Sequence, residues 1–106
     1  HYDGVVYVGL TSRASGTYQC GESAMARSRT HGKIVGVDTG NASLGQGLIA
    51  IRAAEAAAAG ASLEEVQRIA RETSKRTRTF ACLATLDYAV RGGRVPAWAK
   101  TVAEAL

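Results

Sequence analysis

Two short apolar segments separated by a helix-like stretch constrain the fold of this chain more than any other feature of its sequence. The segments are YDGVVYVGL (residues 2–10) and KIVGVD (residues 33–38), and both are rich in the β-branched and aromatic residues typical of buried strands. Residues 15–29, between them, predict a helix. A strand, a helix and a strand in this order form a βαβ unit, which requires a parallel sheet with a right-handed crossover. We therefore predict an α/β fold.

Two further helices are predicted after the second strand. A buried helix is predicted for SLGQGLIAIRAAEAAAA (residues 43–59), which is apolar on almost every face, with Gly60 as its left-handed C-cap. Ser62 and Glu65 then form a capping box that opens the next helix. The apolar residues on one side of that helix are Leu63, Val66, Ile69 and Ala70.

The last part of the chain predicts a second structural unit. Its composition changes at residues 75–78, SKRTR being strongly polar, and we place the boundary there. A third strand is predicted for TFACLAT (residues 79–85), followed by a short helix in LDYAVRGGR (residues 86–94) that ends in a glycine turn.

Charge patterning argues against a nucleic-acid partner. The chain of 106 residues has a net charge of +4, but between Glu64 and Arg78 its basic residues alternate with acids, and no aromatic residues interleave with the basic ones. Glu64 with Arg68 and Glu72 with Arg76 have the i,i+4 spacing of ion pairs on a solvated helix face. No apolar run is long enough to span a bilayer, so we predict no integral membrane segment.

Cysteine usage indicates a reducing, cytoplasmic location. Cys20 and Cys82 are far apart and neither has another cysteine nearby, which excludes a disulfide framework and a zinc cluster. We predict no metal and no cofactor, and we interpret Cys20 as a buried structural thiol.

Hydroxyl side chains and glycine gather directly after the first strand, at Thr11, Ser12, Ser15, Gly16 and Thr17. In an open parallel sheet, ligands bind beyond the carboxyl ends of strands, where the next helix presents unpaired N–H groups and a partial positive charge. These residues predict a site for a carboxylate or a single phosphate, because no P-loop lysine accompanies them. In the structural alternative, Ser12 or Ser15 is only an N-cap and Thr17 a first-turn residue.

Hydrolase and dinucleotide-binding functions find less support in the sequence. Ser15 lacks the G-x-S-x-G elbow, and His31 lies in the polar turn RSRTHGK, where we expect a solvated loop residue. GQGLIA (residues 45–50) matches a variant of the dinucleotide fingerprint, but the motif needs a tight turn and this one is distant from the strand end at Asp38. We interpret its glycines as sites of close helix packing or close approach to a ligand, with cofactor binding as the third alternative.

Three segments, in order and spacing, resemble the DegV family of bacterial fatty-acid-binding proteins: SRASGTYQ, VGVDTGNASLGQGLIAIRAAEAAAAG and RTRTFACLATLDYAVRGGRV. The resemblance covers almost all of residues 2–95. It implies a two-domain, three-layer α/β protein, in which residues 1–76 form the C-terminal part of the first α/β/α domain and residues 77–106 begin the second α/β domain. It also implies that the sequence is an internal piece of a longer chain.

The resemblance implies a carrier that performs no catalysis itself. A long-chain fatty acid would lie between the domains, and its carboxylate would be presented to a separate ATP-dependent fatty acid kinase that makes the acyl phosphate for phospholipid synthesis. Ser15 is the first candidate for a carboxylate contact, with Gly16, Thr17 and Ser12 as neighbours.

The resemblance also suggests residues for the rest of the pocket. Candidates for the apolar wall are Leu48, Ile49 and Ile51, for which a structural core role is the alternative. Arg91 and Arg94 flank the glycine turn, and the resemblance puts this turn near the pocket mouth and the kinase. Their structural alternative is a pair of solvated arginines at a C-cap.

Two other functions remain open. The chain is alternatively a small-anion or nucleotide-binding regulatory domain that uses the same residues and holds no lipid. As a third possibility, the piece binds no ligand by itself and self-associates through exposed sheet edges.

Overall fold

The computed structural model describes residues 2–29 and 33–104, in which two strands and five helices are present. The strands are β1 (Val5–Gly9) and β2 (Ile34–Asp38). The helices are α1 (Thr17–Ala26), α2 (Ser43–Ala58), α3 (Leu63–Arg76), α4 (Asp87–Arg91) and α5 (Ala97–Glu104). The two strands are parallel and α1 connects them, so the predicted α/β fold with a βαβ unit is confirmed.

Alternation of side chains along β1 divides this unit into three layers. Val6 and Val8 pack against the buried core on one face of the sheet. Tyr7 points to the other face, because successive residues of a strand point to opposite sides. There its ring stacks on Tyr18 of α1, with ring centroids 5.7 Å apart and an interplanar angle of 12°. Helix α1 therefore covers one face, while α2 and α3 cover the other.

Glycines provide the space for this aromatic stack. A Cβ atom at Gly9 or Gly36 would collide with the Tyr18 side chain, and one at Gly21 would collide with Tyr7. The absence of side chains at these three positions lets α1 approach the sheet through its tyrosine.

The core lies between the sheet and the two helices α2 and α3. Its buried apolar residues are Val37, Ile49, Ala53, Val66 and Ala70. Leu63 and Ile69 are half-buried beside them, so the predicted apolar side of α3 is confirmed.

The connection between α2 and α3 follows the sequence prediction. Gly60 has a φ of +87° and donates to the Ala57 carbonyl, while Ala61 donates to that of Ala56. These two bonds form a Schellman motif. Ser62 then caps α3, because its Oγ accepts from the Glu65 N–H at 3.2 Å.

The prediction that α2 is buried on almost every face is wrong. Only Gly45, Ile49 and Ala53 of this helix are buried. An apolar stripe on its outer side is solvent-exposed and consists of Leu44 (82% exposed), Leu48 (58%) and Ile51 (56%). Their spacing places them on one side of a helix, and the sheet lies on the opposite side, so no element of the described residues covers them.

The prediction of a third strand at residues 79–85 is also wrong. These residues form no strand, and Phe80 is 92% exposed. A strand needs a neighbouring strand to bind its backbone groups, and none in the described part of the chain pairs with this segment. Helices α4 and α5 pack against each other and against no other described element. The division into residues 1–76 and 77–106 stays a prediction.

Two smaller predictions, both about α1, need correction. Helix α1 is shorter than the predicted residues 15–29, because Ser15 forms a turn with Thr17 before the helix begins. Cys20 is exposed, since α1 has no fully buried residue.

The ion pairs of α3 use a different spacing from the one predicted. Glu65 pairs with Arg68 at 2.7 Å and Glu72 with Lys75 at 2.9 Å. Both pairs have the spacing i,i+3. This spacing is possible because residues three apart, like residues four apart, are neighbours on the same helix face.

Among the described residues, no helix has both the length and the apolar character to cross a membrane.

Each outer edge of the sheet has one carbonyl bound by a glutamine side chain. Gln46 of α2 donates from Nε2 to the Val8 carbonyl at 3.1 Å. Gln67 of α3 donates from Nε2 to the Gly36 carbonyl at 3.0 Å. Both carbonyls point away from the neighbouring strand. A further strand at either edge would otherwise use them as acceptors.

Candidate functional site

The carboxyl ends of β1 and β2 define the edge at which the candidate residues gather. The chain runs from each strand through a short loop into a helix, so α1 and α2 both begin at this edge. Neither N-cap residue, Gly16 or Ala42, supplies a side-chain acceptor to its helix. Helix N-termini carry unpaired N–H groups and partial positive charge. The edge therefore favours a bound anion.

Ser15 and Thr17 form a hydroxyl pair at the beginning of α1. Ser15 Oγ and Thr17 Oγ1 are 2.7 Å apart, and the Thr17 N–H donates to Ser15 Oγ at 3.2 Å. Gly16 lies between them, and a Cβ there would meet no atom within 4 Å. The space around the pair is open. The structural alternative is correct in part. Thr17 is the first residue of α1, and the Ser15 hydroxyl binds its backbone N–H.

Ser12 contacts the second strand. Its N–H lies 3.3 Å from both carboxylate oxygens of Asp38, and the Gly40 N–H donates to Asp38 Oδ1 at 3.0 Å. Partial burial alone would raise the pKa of Asp38, but the hydrogen bonds from Ser12 and Gly40 and the charge of Arg13 outweigh it and lower that pKa. Asp38 thus joins the loop after β1 to the end of β2 as an ionised carboxylate.

The lowered pKa of Asp38 predicts a loss of stability in acid. The carboxylate contributes stability at pH values above its ordinary pKa of 3.8, and this contribution is lost as the pH falls through the lowered value. We expect Asp38→Asn to reduce the free energy of unfolding at neutral pH by about 1 kcal/mol, and the difference from wild type to shrink in acid. Urea unfolding followed between about pH 2 and pH 7 measures this.

Asp3→Asn is the matched control, because it makes the same chemical change at an exposed aspartate away from the site. A difference for Asp38→Asn that stays constant over the whole pH range would contradict a role for the Asp38 charge.

A buried network fixes the loop after β2. Thr39 and Asn41 are 2% and 6% exposed, and the Thr39 hydroxyl donates to the Gly9 carbonyl at 2.8 Å. Asn41 Nδ2 donates to the Thr39 carbonyl at 2.8 Å, and Asn41 Oδ1 accepts from the Thr79 hydroxyl at 2.9 Å. The Asn41 carbonyl accepts from the Thr11 N–H at 2.9 Å. This Thr39–Asn41 network links both loops of the site with the segment after α3.

Sequence reasoning did not select Asp38, Thr39 or Asn41. The signal was present, because DTGN starts at the last residue of β2 and TSR starts two residues after β1, and the carboxyl ends of parallel strands meet at one edge. Gly45 supports the network, since a Cβ there would collide with the Thr79 hydroxyl. Close packing therefore explains Gly45, whereas a Cβ at Gly47 would meet open space.

The structure brings Arg94 to the hydroxyl pair and leaves Arg91 apart. Arg94 Nε donates to the Ala14 carbonyl at 3.1 Å, directly before Ser15, and Arg94 Nη1 donates to the Gly92 carbonyl at 2.6 Å. Arg91 is exposed in the last turn of α4. Gly93, with a φ of +74°, forms the predicted glycine turn.

The three apolar candidates do not share a surface. Ile49 is 0% exposed and belongs to the core, whereas Leu48 and Ile51 lie on the apolar stripe. Because α2 starts at the site edge, the stripe begins there with Leu44. His31 lies outside the described residues.

Comparison with known proteins gives one family. A family model described as an uncharacterised protein of the DegV family matches residues 1–106. A DegV domain-containing protein of Caldanaerobacter subterraneus subsp. tengcongensis is 38% identical over 95 residues, covering 89% of this chain and 33% of that protein. Relatives described in the same words are 37% identical in Mycobacterium bovis (88% and 32% covered) and 34% in Streptomyces coelicolor (90% and 33%).

The chain thus spans about one third of the length of the curated relatives it matches. No solved structure matches it significantly.

Proposed function

The chain belongs to the DegV family, and on this premise we propose that it binds a long-chain fatty acid and presents the carboxylate to a separate fatty acid kinase. The observation that carries the proposal is the position of the hydroxyl pair Ser15–Thr17. It lies at an edge where two helices begin and from which an apolar stripe leads away. A polar anion site and an exposed apolar surface that both begin at one edge of the sheet suit an amphipathic anion.

The head-group part of the proposal rests on donors. A carboxylate removed from water costs several kcal/mol unless hydrogen bonds replace the lost solvation. The hydroxyls of Ser15 and Thr17, the backbone at Gly16 and the N-terminus of α1 supply such donors. Arg94 brings a positive charge to the same loop through the Ala14 carbonyl.

The acyl-chain part of the proposal rests on the apolar stripe. Leu44, Leu48 and Ile51 cover about 10 Å along the helix axis, and all three are more than half exposed. Contiguous exposed apolar patches on soluble proteins mark ligand or interaction sites. We assign the wall of the acyl pocket to this stripe. Leu44 therefore takes the place of Ile49 among the candidates, because Ile49 is buried in the core.

The proposed role is that of a carrier without catalysis of its own. Ser15 has the Thr17 hydroxyl as its partner, and a hydroxyl is no general base that would activate a nucleophile. In the proposal the second α/β domain completes the pocket and the kinase supplies the phosphoryl transfer. The two exposed free cysteines suit a reducing cytoplasm.

Ser15→Ala tests the carboxylate contact. We expect the full-length protein to bind oleate, and the variant to bind it about tenfold more weakly, because one charge-assisted hydrogen bond is lost. Isothermal titration with oleate measures the affinity, and mass spectrometry of the lipid extract identifies the fatty acid that is carried through purification.

Ser23→Ala is the matched control, since it makes the same change on the exposed far end of α1. Equal affinities for wild type and Ser15→Ala would remove Ser15 from the site. A wild-type protein that binds no oleate and yields phosphate instead of lipid would overturn the carrier proposal in favour of the small-anion domain.

A further inference from the structure

A cavity of about 730 Å³ lies beside β2, between the loop after β1 and the C-terminal half of α3. Four basic residues line it, namely Arg13, Arg71, Lys75 and Arg78. Asp38 is the single acidic residue of its lining. This basic cavity does not include the hydroxyl pair.

Internal ion pairing does not explain this concentration of charge. Within residues 2–29 and 33–104, neither Arg13, Arg71 nor Arg78 has a carboxylate oxygen within 4.0 Å of its guanidinium nitrogens. By contrast, Arg68 on the same helix α3 pairs with Glu65 at 2.7 Å. Like charges that face one cavity repel each other, so the arrangement favours an anion that enters from outside.

The helix dipole accounts for only part of the cluster. The carbonyl end of α3 favours a cation at Lys75, in its last turn. Arg78 also binds carbonyls at this end of α3, because its Nη1 donates to the Lys75 and Thr77 carbonyls at 2.9 Å. Arg13, however, comes from the loop after β1, and Arg71 lies one turn before Lys75. Separate segments of the chain thus converge on the cavity.

Hydroxyl groups complete the lining, although those of Thr39, Ser74 and Thr77 already donate to the carbonyls of Gly9, Ala70 and Thr73. The hydroxyl-bearing residues of the cavity wall are Thr11, Tyr18, Thr39, Ser74 and Thr77. Burial, with the nearby charge of Glu22, raises the pKa of Tyr18, so its phenol keeps its proton at neutral pH. The carboxylate of Asp38 is bound by Ser12 and Gly40, and Lys75 is paired with Glu72 at 2.9 Å. The three arginines of the lining against the one carboxylate of Asp38 leave a net charge of +2.

We propose that the basic cavity binds a small molecule with a phosphate or diphosphate group, at a site separate from that of the fatty acid. Guanidinium groups present paired N–H donors that match phosphate oxygens. The cavity's size is that of a small-molecule site, and its concave, mixed wall differs from the extended basic stripe that follows a nucleic-acid backbone. The site does not depend on the proposed lipid function.

Pyrophosphate is the probe that tests the site. We expect it to bind the full-length protein in isothermal titration at low ionic strength, and added salt to weaken the binding by screening. Arg71→Gln and Arg78→Gln should each weaken it about tenfold, because each removes a charged donor pair. Arg68→Gln is the control, since it removes the same charge from a part of α3 outside the cavity.

Three outcomes would overturn the site. The first is the absence of pyrophosphate binding to wild type, and the second is an equal loss with Arg68→Gln, which would show a general charge effect. The third is a lower thermal unfolding midpoint in the two cavity variants that accounts for their weaker binding. An oleate titration of the same variants keeps the two proposals apart, because loss of oleate binding alone would concern only the lipid site.

Discussion

Replacing Ile49 with alanine is expected to lower the free energy of unfolding by about 3 kcal/mol, the typical cost of removing a large aliphatic side chain from a core. Ile49 is 0% exposed and lies among Val37, Ala53 and Val66 between the sheet and the two helices behind it. Its neighbours come from β2, α2 and α3, so no single element can move to fill the cavity that the change leaves. Urea unfolding of the full-length protein, followed by circular dichroism, measures the loss.

Leu48→Ala and Ile51→Ala are the matched controls, because they remove similar side chains from the exposed side of the same helix. We expect each to change the stability by less than about 1 kcal/mol while weakening oleate binding. An Ile49 variant as stable as these two would show that Ile49 is not a core residue. Unchanged oleate affinity in both controls would remove the apolar stripe from the proposed acyl wall.

Asn41→Ala is expected to cost about 2 kcal/mol of stability, because it leaves a buried backbone acceptor without its donor. The Asn41 amide donates to the Thr39 carbonyl and accepts from the Thr79 hydroxyl. Loss of this side chain removes its hydrogen bonds to Thr77 and Thr79, which connect the loop after β2 with the segment after α3. Hydrogen exchange of the backbone amides near residues 39–41 and 77–79, together with urea unfolding, follows both effects.

Thr79→Val separates the contribution of the Asn41–Thr79 hydrogen bond from that of the buried bond between Asn41 and Thr39. It removes only the exposed hydroxyl at one end, so we expect it to cost less than about 1 kcal/mol. If Asn41→Ala were no more destabilising than Thr79→Val, the buried bond to Thr39 would contribute nothing measurable, contrary to its burial.

Local signals explain what the sequence predicts correctly. β-branched runs mark β1 and β2, Gly60 ends α2 because the position needs a positive φ, and Ser62 with Glu65 begins α3. Each of these features depends on residues within a few positions of one another. The order of strand, helix and strand then determines the parallel pairing.

Features that depend on distant neighbours were not predictable in the same way. Whether α2 is covered on its outer side, and whether residues 79–85 pair with a strand, depends on elements that must lie beside them. The same holds for Asn41, whose partner Thr79 is 38 positions away. The place of Ser15 and Thr17 between β1 and α1, in contrast, follows from the local order of strand and helix, and their role in binding stays a prediction.

The two glutamines at the sheet edges bear on how the chain assembles with anything that would extend its sheet. A strand added beside Val8 or Gly36 has to replace a side-chain amide that already binds the carbonyl there. Because one hydrogen bond is exchanged for another, the first contact of a new strand gains little, and only a segment that forms many bonds at once is favoured. Gln46 and Gln67 thus reduce the gain for a strand that would pair with only one or two residues at either edge of this two-stranded sheet.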